Sequence, residues 1–360
     1  MPHTTTALSQ VEMLQIRASK GVCLCICKQE KDASLRSVTH IQLSTYPHIN
    51  KPHNTHLTTH TPKPPPQTNP LLPLPHFNKF PTFALLMQYN LFSSDKYTFF
   101  CLSSGSCGNC YFIGNGDYGI LIDVGIGVRT IRKRLREHGY DFHHIRAILI
   151  THDHFDHIKS VGTFAHRHNI PVFATQLVHR AIDNHSMIKY DIGASRRIIE
   201  KEVSFQIEDF RFTAFDIPHD SHDHSGYFIE FGNHKMTLAT DIGELTDEMI
   251  PYLVKANHLI IESNYDEEML RTGNYPYHLK QRITSGRGHI SNRQTGEFLA
   301  EYCRDHVRNI WLCHLSNDNN SPQVAYQTIK KHLTERGIKV GEQLSLHVLE
   351  RNKLSPMIQF

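Results

Sequence analysis

The chain has 360 residues, 39% of them apolar and 20% charged, with a formal net charge of +3 and a single Trp. It contains no run of about 18 apolar residues to cross a bilayer as a helix, and its eight cysteines, spread from Cys23 to Cys313, do not form the dense framework of a small secreted scaffold. Membrane embedding and a disulfide-built fold are excluded on this reading, and a reducing, cytoplasmic setting is expected. Histidine stands out: 28 residues against 35 Asp plus Glu, a density that points to metal.

The first 86 residues differ in composition from the rest. They hold 11 of the 17 prolines, including Pro64, Pro65 and Pro66, and eight basic residues against three acidic ones. This leader carries +5, so the remaining 30 basic and 32 acidic residues carry −2, and the overall positive charge says nothing about a basic working domain. Proline-rich sequence of low hydrophobicity cannot bury enough apolar area to offset chain entropy. Residues 1–86 are therefore expected to be a low-complexity, disordered leader and 87–360 the working domain, with Met87 as a candidate true start. The apolar stretch 21–27 is too short for a membrane span, and residues 1–20 lack the basic start and apolar core of a secretory signal. The seven leader histidines show no repeated ligand spacing.

From residue 97 onward, short apolar segments alternate with helical patterns, which predicts an α/β sandwich. The expected strands are 97–102, 111–114, 119–123, 145–150, 171–174, 211–217, 226–231, 234–240, 258–262, 309–314 and 344–349. A helix over about 126–138 places Val128, Ile131 and Leu135 on one side and a solvated basic run elsewhere. A second helix begins at Ser291-Asn-Arg-Gln294, a capping-box pattern, and turns Phe298, Leu299, Tyr302 and Cys303 inward. A third starts at Ser321-Pro322, a cap followed by proline at the first helical position, and runs to Gly337.

The strongest signal follows the strand at 145–150: His152-Asp-His154-Phe-Asp156-His157. Two histidines one residue apart at a strand end can reach one metal, and an aspartate and a histidine just beyond can reach a second. Neutral imidazole suits Zn²⁺, and mixing it with carboxylate admits Mn²⁺ or Fe. A dense polar cluster after a buried strand is costly unless paired or metal-bound. Four ligands do not complete two metal positions. Further donors are expected at Pro218-His219-Asp220, Thr240-Asp241 and Cys313-His314, each at the end of an apolar strand. The segment after Pro218 offers His219, His222 and His224 for one position, and His219 is preferred because it lies directly at the strand end.

H-x-H-x-D-H followed in order by His, Asp and His at strand ends resembles the metallo-β-lactamase fold, an αββα sandwich of two mixed β-sheets flanked by helices. More narrowly, Ser103-Ser-Gly-Ser-Cys-Gly-Asn109, Glu262-Ser-Asn-Tyr-Asp266, Gly288-His-Ile-Ser-Asn292 and His314-Leu-Ser-Asn-Asp-Asn-Asn320 resemble the WalJ/YycJ-type proteins, regarded as 5′→3′ double-stranded DNA exonucleases. The likeness covers about 97–350. It implies that His152, His154 and His219 hold one divalent ion and Asp156, His157 and His314 another, that Asp241 bridges them, and that Asp123 braces the ligand loop. It further implies substrate contacts from Ser106, Asn109, Arg287, Asn292 and Ser316, and a DNA end as the substrate.

Two metals about 3.5–4 Å apart suit phosphodiester hydrolysis. Asp241 at the bridging position, with no Cys among the ligands, disfavours a thiolate-containing lactamase site. His289, 25 residues ahead of His314, resembles a similarly placed histidine of the tRNA 3′-processing endonucleases; by analogy it binds phosphate or acts as general acid, beside Asp156 as the other catalytic residue. Between Arg271 and Arg293 lie five basic residues, no acid, and Tyr275 and Tyr277, which reads either as a phosphate-tracking surface or as a solvated insertion. Cys107 and Cys110 are assigned no metal or redox chemistry. The expectation is a two-metal phosphodiesterase removing nucleotides from the 5′ end of duplex DNA. The alternatives are a phosphodiesterase acting on RNA or a small cyclic phosphodiester, and a metal-bound regulatory or scaffold protein with little turnover.

Overall fold

The computed structural model describes residues 97–360 and the backbone of two leader strands, β1 (Met13–Arg17) and β2 (Cys23–Cys27), which pair antiparallel. The apolar 21–27 stretch thus supplies a strand. The expected disorder of the rest of the leader, and Met87 as a start, lie outside the described residues.

Residues 97–360 form two seven-stranded mixed sheets. Across the first run β16 (Ile358–Gln359), β3 (Thr98–Ser103), β4 (Cys110–Gly114), β5 (Gly119–Ile122), β6 (Ile145–Leu149), β7 (Val172–Ala174) and β8 (Arg196–Ile198). Across the second run β15 (Ser345–Val348), β14 (Asn309–Cys313), β13 (His258–Glu262), β12 (His234–Ala239), β11 (Ser225–Phe231), β10 (Phe210–Asp216) and β9 (Ser204–Ile207). The strands expected from the sequence are present to within one residue at each end. The sequence reading missed β8, β9 and β16. All three are edge strands, short and partly exposed, so pairing rather than an apolar pattern defines them.

Both faces of β3 to β5 are buried, and alternation sorts their side chains into two layers. Phe99, Cys101, Tyr111, Ile113, Ile120 and Ile122 meet Phe212, Ala214, Tyr227, Ile229, Leu238 and Trp311 of the second sheet. Phe100, Leu102, Phe112 and Leu121 turn outward against Ile131 and Leu135 of the helix Val128–Glu137. The second sheet likewise packs its outer face on Phe298 and Leu299 of the helix Asn292–Tyr302 and on Ala325, Ile329 and Leu333 of the helix Pro322–Glu335. These are the three apolar layers of an αββα sandwich, each large side chain contributing about 1.5–3 kcal/mol of burial. The Ser291 capping box and the Ser321 cap both form. In the basic first helix Arg134 is more than a solvated charge: its guanidinium donates to the carbonyls of Leu102 and Asn352, both at 2.6 Å.

The architecture gathers strand ends. Asp123 follows β5, 152–157 follow β6, His219 follows β10, Asp241 follows β12, Glu262 ends β13 and His314 follows β14. Asp123, Asp241 and His314 all have left-handed backbones, with φ of 60°, 54° and 54°, so the chain turns sharply just as each strand leaves its sheet. Gly125 lets the 152–157 loop lie against this turn, since a Cβ there would stand 1.5 Å from the Asp156 carbonyl oxygen and 2.8 Å from the Asn109 nitrogen. Gly125→Ala is expected to cost about 2–4 kcal/mol of stability by forcing these backbones apart. An unchanged midpoint in denaturant unfolding would refute that reading of the contact.

Candidate metal centre

Asp123 is fully buried and organises the loop after β6. Its Oδ1 accepts the Thr151 backbone N–H at 2.9 Å, while Oδ2 accepts the Thr151 hydroxyl at 2.9 Å and His157 Nδ1 at 2.7 Å. With Nδ1 engaged, His157 presents Nε2 to Asn109 Nδ2 at 2.9 Å, to Asp241 Oδ2 at 3.4 Å and to Asp156 Oδ2 at 3.8 Å. On the neighbouring turn His152 points Nδ1 at the Thr151 hydroxyl, 3.0 Å away. Its Nε2 is buried with no hydrogen-bond partner.

His219 is buried and donates from Nδ1 to the Gly288 carbonyl at 3.1 Å, which turns its Nε2 toward the same space as His152 and His154. His222 points away: it is exposed, with Nδ1 2.7 Å from Asp153 Oδ2. His224 is buried beside His152, with ring centroids 4.4 Å apart and neither ring nitrogen partnered, but it belongs to no donor group among the described residues.

From the second sheet, Asp241 directs its two oxygens to different histidines. Oδ1 lies 3.3 Å from His314 Nε2 and 4.0 Å from His219 Nε2, while Oδ2 faces His157. Glu262, fully buried, does for this side what Asp123 does for the other. Its Oε1 is 2.9 Å from both His289 Nδ1 and His314 Nδ1, and Oε2 accepts the backbone N–H groups of Ile242 at 2.8 Å and Ile290 at 3.3 Å. Glu262 entered the sequence reading only as part of a motif, with no role. The available signal was an acid closing the otherwise apolar run Leu259-Ile-Ile-Glu262.

Burial sets the charge of the first histidine set. It depresses His152 and His224 far below the ordinary imidazole range and takes His219 down to about 4, partly offset by Asp241. Burial also opposes a charge on His157, but Asp123, Asp241 and Asp156 outweigh it and raise the group to about 10. The same contest at His289 is decided by Glu262, with Asp241 and Asp220, and ends at about 9. Burial pushes the Asp241 carboxyl up, and His314, His157, His219 and His289 together hold it well below the carboxylate range.

Four overlapping donor groups result: His152, His154 and His219; His152, His157 and Asp241; Asp156, His157 and His314; and Asp241, Glu262, His289 and His314. Divalent cations fit this chemistry. The imidazoles reach inward through Nε2, their Nδ1 atoms are held from behind, and the Nε2 atoms of His152 and His314 are buried without a hydrogen-bond partner.

The residues expected to contact substrate divide. Ser106 and Arg287 are exposed and Ser316 is half-buried, whereas Asn109 and Asn292 are buried. Asn292 accepts the Ser263 hydroxyl at 2.6 Å and donates to Asn320 Oδ1 at 2.9 Å; Asn109 exchanges hydrogen bonds with Gly105 and touches His157. Their amides are hydrogen-bonded within the protein. Arg351, unremarked in the sequence, brings its guanidinium to within 3.2 Å of the Ser106 hydroxyl. Cys107 is exposed and Cys110 buried, and both are free thiols.

A beta-lactamase superfamily domain matches residues 118–314. Exodeoxyribonuclease YycJ of Bacillus anthracis is 32% identical over 250 residues, 69% of this chain and 94% of YycJ. Exodeoxyribonuclease WalJ of Streptococcus pneumoniae is 29% identical over 258 residues, 72% of this chain and 96% of WalJ. The metallo-β-lactamase fold protein YhfI from Bacillus subtilis superposes with a TM-score of 0.54 at 14% identity, covering 74% of this chain and 100% of YhfI, a likeness of fold. The chain belongs to the metallo-β-lactamase superfamily of hydrolases, and within it to the family of YycJ and WalJ. The fold implies divalent metal binding, and among the described residues no helix is long and apolar enough to cross a membrane.

Two outcomes follow from this geometry. His219→Ala should sharply lower metal content measured by elemental analysis, whereas His222→Ala should leave it unchanged; the reverse result would reassign the position. Metal uptake should release a proton to the extent that the carboxylates around His157 raise its proton affinity, because its Nε2 ligates only when unprotonated. The apparent affinity should then fall as the pH is lowered. Calorimetric titration in buffers of different ionisation enthalpy measures the release directly.

Proposed function

We propose that the protein is a two-metal phosphodiesterase that removes nucleotides from the 5′ end of double-stranded DNA. The observation that carries this reading is the placing of Asp241, whose carboxylate lies 3.4 Å and 3.3 Å from His157 and His314 of one set and 4.0 Å from His219 of the other. His152, His154 and His219 would hold one ion, Asp156, His157 and His314 the other, with Asp241 between them. When bound, such a pair of ions supplies Lewis-acid polarisation of a phosphodiester and activation of water for in-line attack.

The remaining work falls to the protein's own groups. Asp123 and Glu262 hold Nδ1 of His157 and His314, so that each imidazole keeps its tautomer and presents Nε2. His289 is cationic at neutral pH, held by Glu262 through Nδ1 with its side chain 19% exposed, so Nε2 can donate a proton to a leaving oxygen or a hydrogen bond to a phosphate. Asp156, a quarter exposed, lines the same cleft. Ser106, Ser316 and Arg287 remain as accessible groups for the substrate backbone. Exodeoxyribonuclease activity in YycJ and WalJ supports DNA as the polymer, and the 5′→3′ polarity rests on the likeness to that family.

One observation favours a smaller substrate as a second reading. The basic residues between Arg271 and Arg293 form no free cationic track. Arg271 pairs with Glu268, Arg282 with Asp220, and Arg293 with Glu267 and Glu297; Lys280 donates to the carbonyls of Arg271 and Gly273, and Arg287 Nε donates to the carbonyl of His219. A surface so neutralised suits RNA or a small cyclic phosphodiester as readily as a long duplex.

The test uses the full chain on a duplex labelled at its 5′ end, beside bis(p-nitrophenyl) phosphate. Metal-dependent release of short 5′ products is expected, abolished in Asp156→Ala. In His289→Ala turnover should drop about 10²- to 10⁴-fold with metal content retained. Hydrolysis of the small ester with an intact duplex would move the assignment to the second reading.

A further inference from the structure

Asp220 follows His219 directly and was absent from the expected ligand set. Its Oδ1 lies 3.3 Å from His219 Nε2 and 3.8 Å from His154 Nε2. Two donors each about 2.1 Å from one ion stand roughly 3.0 Å apart at a right angle and roughly 3.4 Å apart at the tetrahedral angle. The Asp220 oxygen therefore sits at the spacing of a co-ligand to His219 and about 0.4 Å beyond the tetrahedral spacing from His154. Its other oxygen is fixed: Arg282 Nε donates to Oδ2 at 2.5 Å. Arg282 lies on the helix Tyr277–Ile283, which buries none of its side chains, so it is held as much by this contact as by packing. A half-exposed carboxylate free to choose would turn both oxygens to water; this one keeps an oxygen on the histidines because a guanidinium grips the other.

We infer that Asp220 is a further ligand at the His152, His154 and His219 position, held there by Arg282, and that it biases this position toward Mn²⁺ over Zn²⁺. The inference rests on the two-metal reading above and deepens it. With Asp241 on the far side, the position has five protein donors, two of them carboxylates, against four at the position of Asp156, His157 and His314. Zn²⁺ in protein sites is satisfied by four donors, mostly nitrogen or sulfur, whereas Mn²⁺ accepts five or six and takes carboxylate oxygen readily. Removing one hard oxygen donor should accordingly hurt Mn²⁺ far more than Zn²⁺. Arg282 is a positioning residue: it touches neither the ion nor the reacting atoms and acts through the carboxylate.

The experiment measures metal binding by the full chain rather than turnover. Mn²⁺ is titrated with the electron paramagnetic resonance signal of the free ion as readout, and Zn²⁺ by competition with a chromophoric chelator. Asp220→Asn should weaken Mn²⁺ at one of two positions by about tenfold or more and Zn²⁺ by less than about threefold, with Asp220→Glu restoring part of the Mn²⁺ affinity. Arg282→Gln, on an exposed helix where folding is not at stake, should weaken Mn²⁺ in the same direction by a smaller factor. Mn²⁺ affinity in Asp220→Asn within about twofold of the parent, or an equal loss of both metals, would overturn the inference while leaving the two-metal reading intact. A parent chain that takes up neither ion would instead overturn the two-metal reading.

Discussion

A carboxylate buried where no water reaches it governs this molecule. Asp123 has no solvent contact, so its charge is tolerable only because every oxygen is answered: by the Thr151 backbone, the Thr151 hydroxyl and His157. Those three bonds fix where the chain goes on leaving β6. Thr151 in turn positions His152, and the Asp156 carbonyl closes onto the Asn109 nitrogen beside Gly125. Glu262 repeats the device on the opposite sheet by answering four groups at once, two imidazoles and two backbone N–H groups. The site is thus two rigid half-cradles, one per sheet, brought face to face by the apolar layer between them.

That division explains what could be read from the sequence. The strands were legible because both sheets are buried on both faces, so their residues form short apolar runs; the three missed strands lie at sheet edges, where hydrogen bonding can define a strand without burial. The caps at Ser291 and Ser321 were legible because capping is local chemistry. Among the candidate site residues, those following a strand end stood out because a polar residue there breaks an apolar run. Asp220 and Arg351 did not, since their significance comes from groups far away in the chain: Arg282 for the first, Ser106 for the second. Asn109 and Asn292 show the opposite case. A polar residue in a Gly- and Ser-rich loop looks available until the fold reveals that its amide is already committed.

The charges follow the same geometry. Burial lowers the proton affinity of His152 and His219, in His219 against the pull of Asp241 and Asp220, while closer carboxylates raise that of His157 and His289, so one compact cleft holds imidazoles shifted in both directions. Outside the cleft, the cations of 271–293 are spent on nearby acids and carbonyls, and the arginine-rich first helix spends Arg134 on the backbone and Arg136 on Asp141. Counting basic residues in such segments overstates the positive field a ligand meets.

The helix Tyr277–Ile283 stands over the loop that bears His219 and contributes nothing to any apolar layer. Its side-chain attachments include the Arg282 ion pair and the Lys280 bonds to two carbonyls, at or near solvent, and the His289 backbone N–H donates to the Ile283 carbonyl at 2.8 Å. Apolar packing is indifferent to dissolved ions, but contacts of this kind weaken within a Debye length that shrinks to about 8 Å at physiological ionic strength. Added salt should therefore weaken these side-chain contacts before it affects the apolar layers of the sandwich. Ionic strength acts on this fold as a selective solvent for one part of its surface, loosening the rim of the cleft and sparing its floor.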